Sequence, residues 1–200
     1  MDTLEAIYAR RSVKCFDASH NMPIEIQHKI FEAAKQAPSS FNIQHWRLIN
    51  IVDTEIRQKL RLAAWNQAQV TDASMVLMIC VDLNAHADDP NQYWRNAPEA
   101  VKNMLVGAIG NFYHDNPQLQ RDEAMRSAGL IAQTIMLSVT ALGYDSCPMI
   151  GFEFDKVSAL IKLPKDHEIA MMITIGKPLQ PAREKGGFIS DHLFLRENSF

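Results

Sequence analysis

"SMVLMICVDL", residues 74–83, is apolar without interruption from Met75 to Val81. Successive side chains of a strand point to opposite faces, so a strand at the surface of a sheet alternates apolar and polar residues. No alternation is present here. The run therefore reads as a strand buried on both faces, and each face needs a covering layer.

Working outward, "WRLINIVD" (46–53) and "EIAMMITIGKP" (168–178) are further strand candidates, and "DSCPMIGF" (145–152) is a loop or short strand. Helical spacing fills the intervals between them. Asp2 and Glu5 have capping-box spacing ahead of Leu4, Ile7 and Tyr8, which predicts a first helix ending at Arg10 and Arg11. Ile26, Ile30, Ala33, Ala34 and Ala37 form a second helical face, stopped at Pro38. Ile56, Leu60 and Ala63 mark a third. Two longer helices are predicted over 97–114 and 118–142. The second repeats Ala128, Ile131, Ala132, Ile135, Val139 and Leu142 at i, i+3, i+4, i+7 and is capped by Gly143. "EFDKVSALIKL" predicts a short helix. Apolar strands alternating with helices predict a sheet covered by helices on both faces.

The 200 residues, 47 % of them hydrophobic, suit a single domain over 1–200. A net charge of −3 leaves no basic excess for nucleic acid. No apolar stretch is long enough to span a membrane, and "MDTLEAIYARR" is amphipathic, so the chain reads as cytoplasmic. Cys15, Cys80 and Cys147 form no C-x-x-C, the histidines have no H-E-x-x-H spacing, and no metal site is expected. "GAIGNF" (107–112) is not a dinucleotide fingerprint; it lies in a helical pattern, where small residues for helix packing explain it. The methionines fit gap-filling in a core. Asp88 and Asp89 suggest an exposed loop, and Trp94 suits either a substrate cavity or helix packing. Residues 178–200 have few periodic apolar positions, yet "FISDHLFL" (188–195) favours burial, which a second subunit would supply.

Three polar clusters remain. "RRSVKCF" (10–16) places three positive charges within five residues, which asks for an anion or a solvated helix end. "APSSFNIQHW" (37–46) crowds Ser39, Ser40, Asn42 and Gln44 before a strand, and "WNQAQV" (65–70) offers amides before the buried one. Such donors need partners, and a heteroaromatic ligand with several acceptors supplies them.

Taken with "GLIAQTIMLSVTALGYDSCPMIGF" and "ITIGKP", these stretches occur in the order and approximate spacing of the nitroreductase family. The chain resembles the short bacterial FMN-dependent NAD(P)H oxidoreductases of that family. The resemblance implies an α+β fold, a three-layer α/β/α sandwich, and a homodimer whose C-terminal arm (178–200) is exchanged onto the partner subunit. Two FMN molecules would lie at the interface. By the same resemblance Arg10 grips the FMN phosphate with Arg11 and Ser12 beside it, and Lys14 approaches the flavin C2 carbonyl and N1. Pro38, Ser39, Ser40 and Asn42 pack on the flavin from the other subunit, and Asn66 and Gln69 meet its pyrimidine edge. Pro148, Met149, Ile150 and Gly151 form the loop whose amides, at Ile150 and Gly151, face N5 and O4.

Three departures from the family pattern stand out. His45 replaces a frequent proline, and Ile150 stands where some relatives have glutamate. The tail's usual K-x-R-L-P phosphate clamp is absent, leaving Arg183 and Lys185 as candidates. The implied activity is hydride transfer from NAD(P)H, through FMN, to quinones, nitroaromatics or related small acceptors in a two-step cycle. An FMN storage or sensor protein would keep the same contacts and differ only in turnover. Neither nucleic acid nor membrane is an implied partner.

Overall fold

The computed structural model describes all 200 residues. Helix α1 (Thr3–Ala9) starts at the expected capping box: the Asp2 carboxylate accepts from the Glu5 amide and the Glu5 carboxylate from the Asp2 amide, both at 2.8 Å. Then follow α2 (Ile24–Ala34), β1 (Trp46–Asn50), α3 (Thr54–Ala63), α4 (Gln69–Asp72), β2 (Met75–Asp82) and α5 (Ala85–Asp88). The chain continues with α6 (Glu99–Tyr113), α7 (Pro117–Ala141), β3 (Asp145–Met149), α8 (Phe154–Leu160), β4 (His167–Gly176) and α9 (Asp191–Phe194). Short 3₁₀ turns occupy Ser40–Asn42 and Pro90–Trp94. Gly143 has φ 77°, the left-handed cap expected after α7.

The four strands form one antiparallel sheet in the order β1-β2-β4-β3. Leu48 pairs with Ile79, Leu77 with Ile173, and Cys147 with Thr174. All eight residues of β2 are buried. Met75, Leu77, Ile79 and Val81 enter one core with Ile30 and Ala34 of α2 and Ile131, Ile135 and Val139 of α7. Val76, Met78 and Cys80 enter the other with Leu60 of α3, Val157 of α8, and Val13 and Phe16. The two alternate sets are apolar because each has its own helical layer, so the period of two is hidden from the sequence. These are the two covering layers that the apolar run required, and the three-layer α+β architecture is the one the family resemblance implies.

A third, smaller cluster joins Ile43, Ala85, Ile109 and Tyr113. Apart from Ile43 it lies in the excursion between β2 and α7, where Asp88 and Asp89 are exposed as expected and Asp88 closes α5. The glycines of "GAIGNF" correct one expectation. A Cβ at Gly107 or Gly110 meets nothing within 4 Å, so no helix packs against them within the chain. The apolar side of α1 is also uncovered: Leu4, Ile7 and Tyr8 are exposed and only Ala6 is buried. No helix is long and apolar enough to cross a membrane.

Candidate functional site

The stretch 10–17 lies in extended contact with the sheet. Ser12 bridges Ser146 in parallel, the Val13 amide donates to the Ser146 carbonyl at 3.0 Å, and Phe16 bridges Pro178. Val13 and Phe16 are buried, which turns Ser12, Lys14 and Cys15 to solvent. The cations of "RRSVKCF" divide accordingly. The Arg11 guanidinium folds back onto the carbonyls of Tyr8, Ala9 and Arg10 at 2.6, 3.3 and 2.9 Å, completing the C-terminus of α1. Arg10 and Lys14 have no side-chain hydrogen bond or ion pair. Their charge is felt at Cys147 of β3: burial pushes that thiol up, and Lys14 and then Arg10 oppose the rise.

The tail returns to this strand. The Leu179 amide donates to the Cys15 carbonyl at 2.9 Å, and a cleft of ≈ 240 Å³ forms between Ser12, Lys14 and Cys15 on one side and Gln180 and Arg183 on the other. Arg183 is thus beside the basic loop. Lys185 is outside the cleft, its ammonium 5.7 Å from the Phe188 ring centroid.

Two further loops meet at the end of β3. Trp65 and Asn66 have φ of 52° and 58°, a left-handed pair uncommon for such residues. The Gln67 amide donates to the Gly151 carbonyl at 2.9 Å, and the buried Gln69 amide reaches Gln67 Oε1 at 3.1 Å and Met149 Sδ at 3.7 Å. Asn66 Oδ1 accepts from Arg61 at 2.9 Å. A Cβ on Gly151 would lie 3.0 Å from Trp65 Cζ3, so glycine permits the close approach of the two loops. Pro148 is half-buried and Met149 buried, while Ile150 is exposed and lines an open cleft of ≈ 460 Å³ with Met125, Phe154 and Leu163. Trp65 and Gln67 were not singled out by the sequence reading; the signal available was their place inside "WNQAQV". Ser146 is a further site residue that no sequence pattern marks. It is buried, and its Oγ has no hydrogen-bond partner.

Residues 38–42 lie elsewhere. Phe41, Asn42 and Gln44 have φ of 50°, 58° and 53°. The Gln44 amide donates to Ser39 Oγ at 2.9 Å, and the other long-range hydrogen bonds of the segment go to Tyr93, Trp94 and Tyr113. None reaches residues 10–14 or 149–151. Arg10, Ser12, Lys14, Gln69 and the 148–151 loop therefore gather around β3, with Arg183 beside the basic loop and the Asn66 side chain turned onto Arg61, whereas Pro38, Ser39, Ser40 and Asn42 do not join them within one chain. Trp94 packs against the small third cluster and donates to a backbone carbonyl, which supports the helix-packing reading.

One acidic cluster was not anticipated. Ligand atoms of Asp82, Asp166 and His167 lie within 4.8 Å of one another. Protein partners already engage it: Asp82 pairs with Arg47 at 2.7 Å and Asp166 with His167 at 2.8 Å.

Such a sheet, with a basic loop paired alongside β3 and two latched loops beyond the end of that strand, is the framework of a known class. The nitroreductase family model matches residues 7–177, and the chain belongs to that family. It is 55 % identical to the protein DrgA of Synechocystis over 92 % of this chain and 88 % of that one. To MhqN of Bacillus subtilis, which bears an NAD(P)H nitroreductase name, it is 33 % identical over 90 % of each. Among solved structures, B. subtilis YdfN superposes with TM-score 0.90 at 31 % identity over 96 % of this chain and 97 % of that one. A nitroreductase of Exiguobacterium sibiricum, solved in complex with FMN, gives 0.90 at 28 % identity over 98 % and 97 %.

Proposed function

We propose that this protein is an FMN-dependent oxidoreductase that takes hydride from NAD(P)H and reduces quinones, nitroaromatics or related small acceptors in a two-step cycle, as a cytoplasmic homodimer. One observation carries the reading: Arg10, Ser12, Lys14 and Arg183 gather where Ser12 and Val13 pair with Ser146 of β3, with no side-chain partner of their own. A phosphate monoester offers acceptor oxygens and negative charge to such donors. The donor set fits FMN, and FMN is the ligand of the E. sibiricum relative.

In this reading Arg10, Ser12 and Arg183 hold the phosphate and Lys14 faces the C2 edge of the ring. Asn66 and Gln69 line the pyrimidine side, and the amides of Ile150 and Gly151 face the reactive edge. Arg11 contributes mainly by fixing the end of α1. When bound, FMN supplies two-electron chemistry between nicotinamide and acceptor; for a quinone the balance is NAD(P)H + H⁺ + quinone → NAD(P)⁺ + hydroquinone. The protein's residues bind, orient and set the local field. Residues 38–42 of a second copy complete the site, because those of the same chain are held elsewhere. The exposed faces of α1 and the 178–200 arm supply an apolar surface for that copy.

The deciding experiment is an absorption spectrum of the purified protein followed by anaerobic titration with NADH and, separately, NADPH. A flavin spectrum bleached by one of them is expected; a colourless protein that takes up no added FMN rejects the reading, and a flavin that neither donor reduces indicates storage or sensing.

Two substitutions assign the cations. Arg10→Ala removes a charge-assisted contact of about 1.5–3 kcal/mol, so FMN should bind about ten- to a hundredfold more weakly by fluorescence titration. Lys14→Met removes a cation that favours the negative charge acquired on reduction. At an effective dielectric near 20, with screening, that is about 1–3 kcal/mol, or roughly 20–65 mV for a two-electron couple. The bound-flavin potential should fall by that amount in a dye-coupled titration, and agreement within about 10 mV would leave Lys14 without an electronic role.

A further inference from the structure

The backbone from Ser39 to Gln44 is held in a shape that its own sequence does not favour. Phe41, Asn42 and Gln44 are left-handed and none is glycine. What holds it comes from the excursion between β2 and α7. Trp94 Nε1 donates to the Phe41 carbonyl at 3.1 Å, and Asn42 Nδ2 donates to the Tyr93 carbonyl at 2.9 Å. The fully buried Tyr113 donates its hydroxyl proton to Ser40 Oγ at 2.9 Å. Ile43 is buried against Ala85, Ile109 and Tyr113, and the Phe41 ring lies 5.6 Å from that of Phe112. Tyr93 is itself pinned, its hydroxyl donating to the Ala85 carbonyl at 2.6 Å. These contacts grip the segment along its length and leave the Ser39 hydroxyl engaged only with the Gln44 amide.

We propose that Tyr113 and Trp94 are positioning residues for the flavin site, acting through Ser40 and the Phe41 carbonyl to hold residues 39–42 in the conformation presented to the flavin. The inference rests on the FMN assignment above. A loop held only by its own bonds would relax toward ordinary dihedrals, and its hydroxyl and amide groups would lose their common direction. With the excursion as a frame, the geometry is set before the ligand arrives, which lowers the ordering cost of binding. The role assigned to each residue runs through the segment it grips.

A double-substitution cycle tests this. Tyr113→Phe keeps the ring in the third cluster and removes only the hydroxyl, Ser40→Ala removes its partner, and both are combined. The measured quantities are FMN dissociation constants of the apoprotein by fluorescence titration and melting temperatures of the same apoproteins. The expected result is a three- to tenfold weaker FMN affinity for each single variant and no further loss in the double, with Tyr113→Phe weakening FMN more than its small change in melting temperature implies. Trp94→Phe, which keeps an aromatic ring and removes the donor to Phe41, should weaken FMN similarly and stands as the second variant should Tyr113→Phe fail to fold. Unchanged FMN affinity in both Tyr113→Phe and Trp94→Phe overturns the proposal, as do effects that multiply in the double variant, because Tyr113 would then not act through Ser40. A wild-type protein that binds no FMN overturns the functional reading itself; wild-type binding matched by both variants overturns this inference alone.

Discussion

Removing residues 180–200 is expected to yield a protein that is monomeric at micromolar concentration and does not retain FMN. The arm exposes Phe188, Ile189, Phe194 and Leu195 at 86, 62, 76 and 68 %. Full burial of one such side chain contributes about 1.5–3 kcal/mol, so three buried on a partner contribute about 5–9. Loss of even ~4 kcal/mol raises a dissociation constant about a thousandfold. Flavin retention should fall in parallel, because the deletion removes Arg183 from the cleft with Ser12 and Lys14 and separates the copies that together complete the site. Sedimentation velocity reads the first effect and visible absorbance of the dialysed protein the second. A shortened chain that sediments as a dimer, keeps its flavin and melts at the wild-type temperature would show the arm to be dispensable and would place the dimer interface elsewhere, for example on the uncovered side of α1.

The elements that could be read from sequence are those whose periodicity has one physical cause. The uninterrupted apolar character of β2 came from two covering layers, and α7 followed the helical repeat because one side packs on the sheet. Features that depend on distant partners were hidden. "RRSVKCF" predicted an anion or a solvated helix end, but not that Arg11 alone would turn back onto α1 while Arg10 and Lys14 stayed free. That division follows from the pairing of Ser12 and Val13 with Ser146, more than a hundred residues away. The grip of Tyr93, Trp94 and Tyr113 on residues 40–42 spans separations of 51 to 73 residues, and no local pattern announces it. The glycines of α6 show another limit: small residues at helical spacing suggested packing, and within the chain a Cβ at Gly107 or Gly110 meets nothing within 4 Å. As for the site, residue types and order were legible. The separation of the 38–42 segment from the rest was visible only in three dimensions, although the family resemblance had assigned that segment to the other subunit.

His45 should make the protein lose stability in mild acid, above the range where most carboxylates titrate. The ring is 1 % exposed, its Nδ1 lies 3.2 Å from Ser127 Oγ, and its Nε2 has no partner. Burial, reinforced by the neighbouring His86 and Arg47 and only partly offset by Asp82, lowers its pKa from 6.5 to about 4. In the unfolded chain His45 takes a proton near pH 6.5, whereas in the folded chain it resists until about pH 4. Between those values the unfolded state binds more protons, so stability rises with pH. The His45 contribution is complete above about pH 7, declines as pH falls through 6.5, and is exhausted near 4, a total of about 3 kcal/mol at 1.36 kcal/mol per pKa unit. Replacing His45 by Gln keeps a side-chain amide for Ser127 and removes the titration. Urea unfolding of both proteins at pH 7.5, 6.5, 5.5 and 4.5, at one protein and FMN concentration so that ligand linkage is constant, isolates the histidine as a difference of differences. The wild type should lose about 2–3 kcal/mol more than His45→Gln across that range. Parallel profiles would mean that the folded ring accepts its proton as readily as the unfolded one, and that water reaches Nε2 or the surroundings of the ring open at little cost.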